Sequence, residues 1–232
     1  MLGVISLEAN KTTVKIRIPV KRTLVMLSGG IDSTAALLHV INDPKEYGRI
    51  HVHHINIQNV EYRWVAEAKA VKDILEYLSI NYSTPFTKSE STFNTPHYGN
   101  QFLFDTEVIS FMTGYMTSRD PEIKKVVLGA TGSDFASSGA SNAVKRSKAM
   151  HNAFYFDGKD HNKMVKMFPL SHLTKEEVYA TLPKDLAKLT WSCRTPIYKD
   201  GIIKECGVCK TCTIEMKVLK NSKALREREF RG

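Results

Sequence analysis

The stretch that decides the fold is Leu24–Val40, LVMLSGGIDSTAALLHV. Leu24, Val25, Met26 and Leu27 form an apolar run of the length and composition of a buried strand. The chain then turns through Ser28, Gly29, Gly30, Ile31, Asp32 and Ser33, and leaves as a helix-like run from Thr34 to Val40. Strand, glycine turn and helix start, in that order, make the beginning of an α/β unit.

Working outward, His51–Ile57 reads as a second buried strand and Asn81–Phe86 as a short third. Lys125–Leu128 reads as another strand, ending in Gly129-Ala130-Thr131-Gly132. Between them, Val60–Leu78 places Val65, Ala68, Val71, Leu75 and Leu78 on one helical face. Phe102–Thr117 and Ser141–Phe154 also read as helices, with Ala136–Ala140 as a loop. Asn42-Asp43-Pro44 stops the first helix, and Thr174 with Glu177 makes a capping box at the start of Thr174–Leu182. Strands alternating with helices predict a parallel sheet covered by helices on both faces, Rossmann-like, with the strand-end loops gathered at its carboxyl edge. Residues 1–22 read as a strand or hairpin extension, 23–185 as the sheet domain and 186–232 as a cysteine-bearing subdomain.

The 232 residues are 42% hydrophobic and 25% charged, as in ordinary globular chains, with no apolar run near the roughly 18 residues that span a bilayer. The alternating N-terminus lacks the continuous apolar core of a signal peptide, so the expectation is a cytoplasmic protein without a membrane partner. A formal net charge of +9 suits anionic small molecules and leaves nucleic acid open as a partner. Small basic clusters stand at Lys21-Arg22, at Lys145, Arg146 and Lys148, and at Arg226 and Arg228.

Two adjacent glycines after a strand let the backbone approach a ligand closely. Amides of the turn and the helix start converge there, the helix dipole adds partial positive charge, and together they suit phosphate. Ser28, Ser33 and Thr34 add hydroxyls. Asp32 would repel phosphate unless Mg2+ lies between them, so a metal-bound polyphosphate accounts for it. A plain strand–turn–helix with Asp32 as helix cap accounts for the same residues. The loop is neither a Walker loop nor a dinucleotide fingerprint, since G-x-x-x-x-G-K-[ST] and G-x-G-x-x-G are both absent.

All four cysteines, Cys193, Cys206, Cys209 and Cys212, fall in the last fifth of the chain. Secreted disulfide frameworks scatter their cysteines. Four bunched thiolates can close a tetrahedral Zn2+ site, and four protein ligands make that site structural. An iron–sulfur cluster is the rival, and four unrelated thiols the plain alternative.

SGGIDST resembles the SGG-x-DS loop of the N-type ATP pyrophosphatases, or PP-loop enzymes. Together with the tail WSCRTPIYKDGIIKECGVCKTC and the segment FPLSHLTKEEV, it resembles the 7-cyano-7-deazaguanine synthase family. The resemblance implies an adenine nucleotide alpha hydrolase-like fold and an ATP-dependent carbon–nitrogen ligase using Mg2+ and Zn2+. It further implies adenylation of 7-carboxy-7-deazaguanine and, with ammonia, formation of the nitrile for deazapurine (queuosine-type) base modification. By resemblance the nucleotide is held by Leu27, Ser28, Gly29, Gly30, Asp32, Ser33, Thr34 and Gly129. Ser28, Asp32, Ser33 and Lys175 serve catalysis, Asn100, Asp134 and Arg146 the substrate, and a homodimer is implied. His51, His53 and His54 take a core or adenine-side role, and His97 and Tyr98 lie near the substrate pocket.

The match has gaps. Gly99 stands where the family has Arg before Asn100, and no Tyr-Pro-Asp-Cys-Arg segment follows Gly129, where only Gly129 and Asp134 are comparable. The 13 positions from Cys193 to Cys206 exceed the usual spacing. Two further readings therefore stand: a related ligase for another carboxylate, including one on a protein, and a tRNA-modifying PP-loop enzyme.

Overall fold

The computed structural model describes residues 21–95, 105–136, 140–154 and 165–221. The expected extension over 1–22 lies outside them up to residue 20. Strand β1 (Arg22–Met26) is followed by α1 (Ile31–Asn42), the short α2 (Pro44–Tyr47), β2 (Arg49–Gln58), α3 (Trp64–Asn81) and β3 (Phe86–Asn94). Then come α4 (Asp105–Arg119), β4 (Ile123–Val127), α5 (Gly132–Phe135), α6 (Ala140–Asn152) and β5 (Val165–Met167). The remainder is α7 (Lys175–Thr181), α8 (Lys184–Leu189), the strands β6 (Ile197–Lys199) and β7 (Ile202–Lys204), and α9 (Lys210–Asn221).

Strands β3-β2-β1-β4-β5 form one sheet in that order, every pair parallel. The chain winds one way from β1 to β3 and then crosses to β4 and β5. The order thus reverses between β1 and β4, and a crevice opens at the carboxyl ends of those strands.

Alternation divides the sheet's side chains between two cores. Val25, Leu27, Val52 and Val127 pack with α1, α3, α7 and α8, whereas Leu24, Met26, Ile55, Ile57 and Val126 pack with Val108, Ile109, Met112 and Met116 of α4. The expected parallel α/β sheet with helices on both faces is present. The third strand is not where periodicity put it. Helix α3 continues through Asn81, and β3 starts only at Phe86, one residue after Pro85. That strand, FTKSESTFN, lies at the sheet edge with most side chains exposed, so it carries no apolar alternation. Helix α9 joins the main core through Val218 and Leu219, so apolar packing as well as the cysteines holds the tail. Among the described residues, no helix is long and apolar enough to cross a membrane.

Candidate active site and metal centre

The loop between β1 and α1 is held by its own side chains. The Ser28 amide donates to Ser33 Oγ (3.1 Å), while the Ser33 and Thr34 hydroxyls both donate to the Gly30 carbonyl (3.1 and 2.9 Å). Ser28 Oγ lies 3.0 Å from Ser33 Oγ. Gly29 has φ +84°, and a β-carbon there would sit 3.0 Å from the Glu67 carbonyl oxygen. Its own carbonyl accepts the Trp191 amide (2.8 Å), so the tail clamps the turn from behind. Helix α1 begins behind Gly30, which supplies no side-chain cap, in contrast to α7 with its Thr174–Glu177 box. The first-turn amides and the positive end of the dipole therefore face the crevice without a side chain's oxygen upon them.

Across the crevice, Gly129 follows β4 and touches the same helix start. A β-carbon there would lie 2.5 Å from the Ser33 amide nitrogen. Lys175, the first residue of α7, pairs with Asp32 Oδ2. Asp32 Oδ1 is buried without a hydrogen-bond partner. Burial raises the Asp32 pKa above the ordinary carboxylate value, and Lys175 opposes that rise. An unsatisfied carboxylate oxygen beside free helix amides fits a cation shared with a polyphosphate.

A cavity of about 1140 Å³ opens from this loop under the α4 face of the sheet. Leu27, Ser28, Ser33, Gly129 and Ala130 line its mouth. Met26, His53, Ile55, Ile57, Leu128, Lys166 and Phe168 line its floor, and residues of α4, α5 and α6 its roof. Helix α3 contributes Glu67, with Arg63 just before it. Arg63 is buried and bonds Glu67 and Asp105 (both 2.6 Å), and its Nε lies 2.7 Å from Glu61 without hydrogen-bond alignment. Arg194 grips Glu61 with two bonds (2.9 and 3.0 Å) and reaches Asp105 at 3.3 Å. Burial pushes Glu67 up to about 7 against the pull of Arg63. Composition gave no pointer to this network, although the i, i+4 spacing of Arg63 and Glu67 is a readable one.

The three strand histidines take partners within the sheet. His51 lies 2.7 Å from both the Thr87 and Ser89 hydroxyls, and His53 lies 2.7 Å from Ser89 and 3.0 Å from Ser91. His54 Nδ1 donates to the Leu27 carbonyl (2.8 Å).

The cysteine sulfurs of residues 193, 206, 209 and 212 lie within 4.8 Å of one another. The Cys206 amide donates to Cys193 Sγ (3.2 Å), the Cys209 amide to Cys206 Sγ (3.3 Å), and Gly207 turns with φ +71°. The long gap after Cys193 holds the β6–β7 hairpin, turned at Asp200 and Gly201, both with positive φ. Burial pushes the Cys193 thiol up to about 11, while against burial the Thr211 hydroxyl and nearby amides bring Cys209 down to about 6. Four sulfurs this close fit one ion, since a tetrahedron with bonds of about 2.3 Å has edges of about 3.8 Å.

The loop residues Leu27 to Thr34, Gly129 and Lys175 thus meet at one edge. Asp134 lines the cavity while its carboxylate accepts the Thr131 amide (2.8 Å) and hydroxyl (2.9 Å). Arg146 pairs with Glu107 (2.6 Å) on the half-exposed side of α6; Lys148 and His151 of that helix line the cavity instead. His97, Tyr98, Gly99 and Asn100 lie outside the described residues.

No family model matches the chain. It is 29% identical over 217 residues to a 7-cyano-7-deazaguanine synthase of Nautilia profundicola, covering 85% of this chain and 92% of that one. Among solved structures it is similar to the U34-tRNA thiolase NcsA from Methanococcus maripaludis with its [4Fe-4S] cluster, at TM-score 0.50 and 18% identity, over 89% of this chain and 68% of that one. The second likeness is one of fold. The resemblance carried by SGGIDST and the cysteine tail therefore extends along most of the chain: it is similar in sequence to a 7-cyano-7-deazaguanine synthase.

Proposed function

We propose that the chain is an ATP-dependent PP-loop enzyme that activates a carboxylate as its adenylate, releases pyrophosphate and passes the acyl group to ammonia. The substrate that agrees with the sequence similarity is 7-carboxy-7-deazaguanine, and the product is its nitrile. One observation carries this reading: the uncapped start of α1, behind SGGIDS, opens on a large cavity at the reversal point of the sheet.

The carboxylate oxygen attacks the α-phosphorus as the bond to pyrophosphate breaks. Ammonia then displaces AMP to give the amide. A second ATP adenylates the amide oxygen, and loss of AMP and a proton leaves the nitrile. The protein's task is to hold the reactants in line and to neutralise charge growing on the phosphates. The α1 amides and Ser28 face the phosphates, Ser33 and Thr34 hold the turn in shape, and Lys175 supplies positive charge beside Asp32. Mg2+, when bound, screens the phosphate charges, with Asp32 as its protein ligand. For the four cysteines we propose Zn2+ in a structural role, supported by the close sulfur spacing.

The tRNA-modifying reading draws on the +9 charge. All four cysteines of the chain stand in one cluster, which leaves no separate thiol for sulfur transfer. The deciding experiment is mass spectrometry of the metal-loaded protein with ATP, Mg2+, ammonium and 7-carboxy-7-deazaguanine. Nitrile with AMP and pyrophosphate is expected. Proven ATP binding with the deazaguanine unchanged would turn the reading toward another carboxylate.

A further inference from the structure

Six charged side chains line the cavity: Arg63, Glu67, Asp105, Asp134, Lys148 and Lys166. The acids are occupied. Glu67 and Asp105 are bound by Arg63, and Asp134 accepts two bonds from Thr131. The two lysines, by contrast, have neither a hydrogen bond nor an ion pair among the described residues. The six formal charges cancel, but the two lysines hold no ion pair among the described residues, so the positive charge at Lys166 is locally unmatched.

The position of Lys166 sharpens this. It sits on the edge strand β5 in register with Val126, and so points to the same sheet face as Met26, Ile55 and Ile57. It is half-buried, and burial holds its pKa below the ordinary lysine value. An ammonium group drawn out of water without a partner is costly, and an anion removes that cost. Lys148, exposed on α6, also lines the cavity. The walls combine apolar residues, with Phe135 and Phe168 packed edge to face at 5.2 Å, and polar ones such as Ser147, His151 and Asn152. Phosphate already has the α1 amides and Lys175, which lie on other elements.

We propose that Lys166, assisted by Lys148, docks the carboxylate of a small-molecule substrate whose remaining body is a ring with an apolar face and polar edges. This deepens the carboxylate-activating reading above and rests on it for the identity of the reaction, though not for the presence of the pocket. The site selects for charge at entry: an acid is drawn to the lysine, and the neutral amide formed from it is held for the second adenylation by contacts to its ring alone.

The test is lysine footprinting of the full, metal-loaded chain by limited acylation with mass spectrometric readout. The probes are 7-carboxy-7-deazaguanine, indole-3-carboxylate, the uncharged indole-3-carboxamide, and ATP with Mg2+. Both carboxylates are expected to protect Lys166, and the carboxamide to leave it reactive. By calorimetry, Lys166→Met lowers carboxylate affinity at least about tenfold while ATP affinity is unchanged, and Lys166→Arg retains most of it. Equal protection by the carboxamide, protection by ATP alone, or unaltered carboxylate binding to the Met variant would overturn the proposal. Protection by indole-3-carboxylate without turnover of the deazaguanine would retain the pocket and sink the deazaguanine assignment. Nitrile formation at full rate and affinity by the Met variant would do the reverse.

Discussion

Gly129 ends β4 against the start of α1, so a β-carbon there has only backbone to meet. Gly129→Ala must push the Ser33 amide away and is expected to cost about 1–3 kcal/mol of stability, with weaker ATP binding than any stability loss explains. Chemical denaturation and nucleotide calorimetry on the same preparation check both. Asp32→Asn removes the charge that holds Lys175 and that faces the proposed cation. A loss of about 100-fold or more in AMP formation is expected, with the fold intact by circular dichroism. His53 and His151 are each held at about 4 by burial, below the ordinary 6.5. Between pH 6.5 and about 4 the unfolded chain binds more protons than the folded one, so stability falls as pH falls across that window. Denaturant midpoints at pH 7, 5.5 and 4.5 should show a shallower fall for His53→Gln than for the unaltered chain.

At the scale of elements, the segment from Trp191 to Arg194 ties three things together. Its amide at Trp191 clamps Gly29, its Cys193 joins the sulfur cluster, and Arg194 grips Glu61 and Asp105 beside the cavity. Stripping the proposed zinc with a chelator is therefore expected to speed hydrogen exchange at the Trp191 amide and to weaken ATP binding, an effect that exchange mass spectrometry can place. Arg194→Ala leaves two carboxylates facing each other around Arg63, and a loss of about 1–2 kcal/mol is expected in denaturant unfolding. Of these elements, β1, α1, α3, β4 and α7 were legible because each carries a strong local signal: apolar runs, amphipathic spacing or a capping box. Strand β3 was not, since an edge strand with an exposed face needs no apolar pattern. The β6–β7 hairpin could have been read from Asp200-Gly201, a pair suited to two positive φ values. The glycine loop and the cysteines were legible as contiguous motifs. The Arg63–Glu67–Asp105–Arg194 network was not, because its members meet only when α3, α4 and the tail fold together.

Over the whole molecule, the +9 charge predicts loose attraction to any polyanion. Gel retardation with unmodified tRNA should show binding at 50 mM salt that is lost by about 200 mM, as expected for phosphate contacts without base readout. The sheet holds a longer-range order of its own in the line Ser91, His53, Ser89, His51, Thr87. The Thr87 hydroxyl is 3.4 Å from the Ile50 carbonyl and has one proton to give. Once it gives that proton to Ile50, His51 Nδ1 must donate to Thr87, Ser89 to His51 Nε2, His53 Nδ1 to Ser89, and Ser91 to His53 Nε2. Every proton then points the same way, from the ligand edge toward the opposite end of the strands. Both imidazoles become neutral Nδ1–H tautomers, a state that nitrogen chemical shifts report. The line thus has a polarity, like a row of compass needles set by the last one, and no single histidine can reverse its tautomer unless its neighbours turn with it.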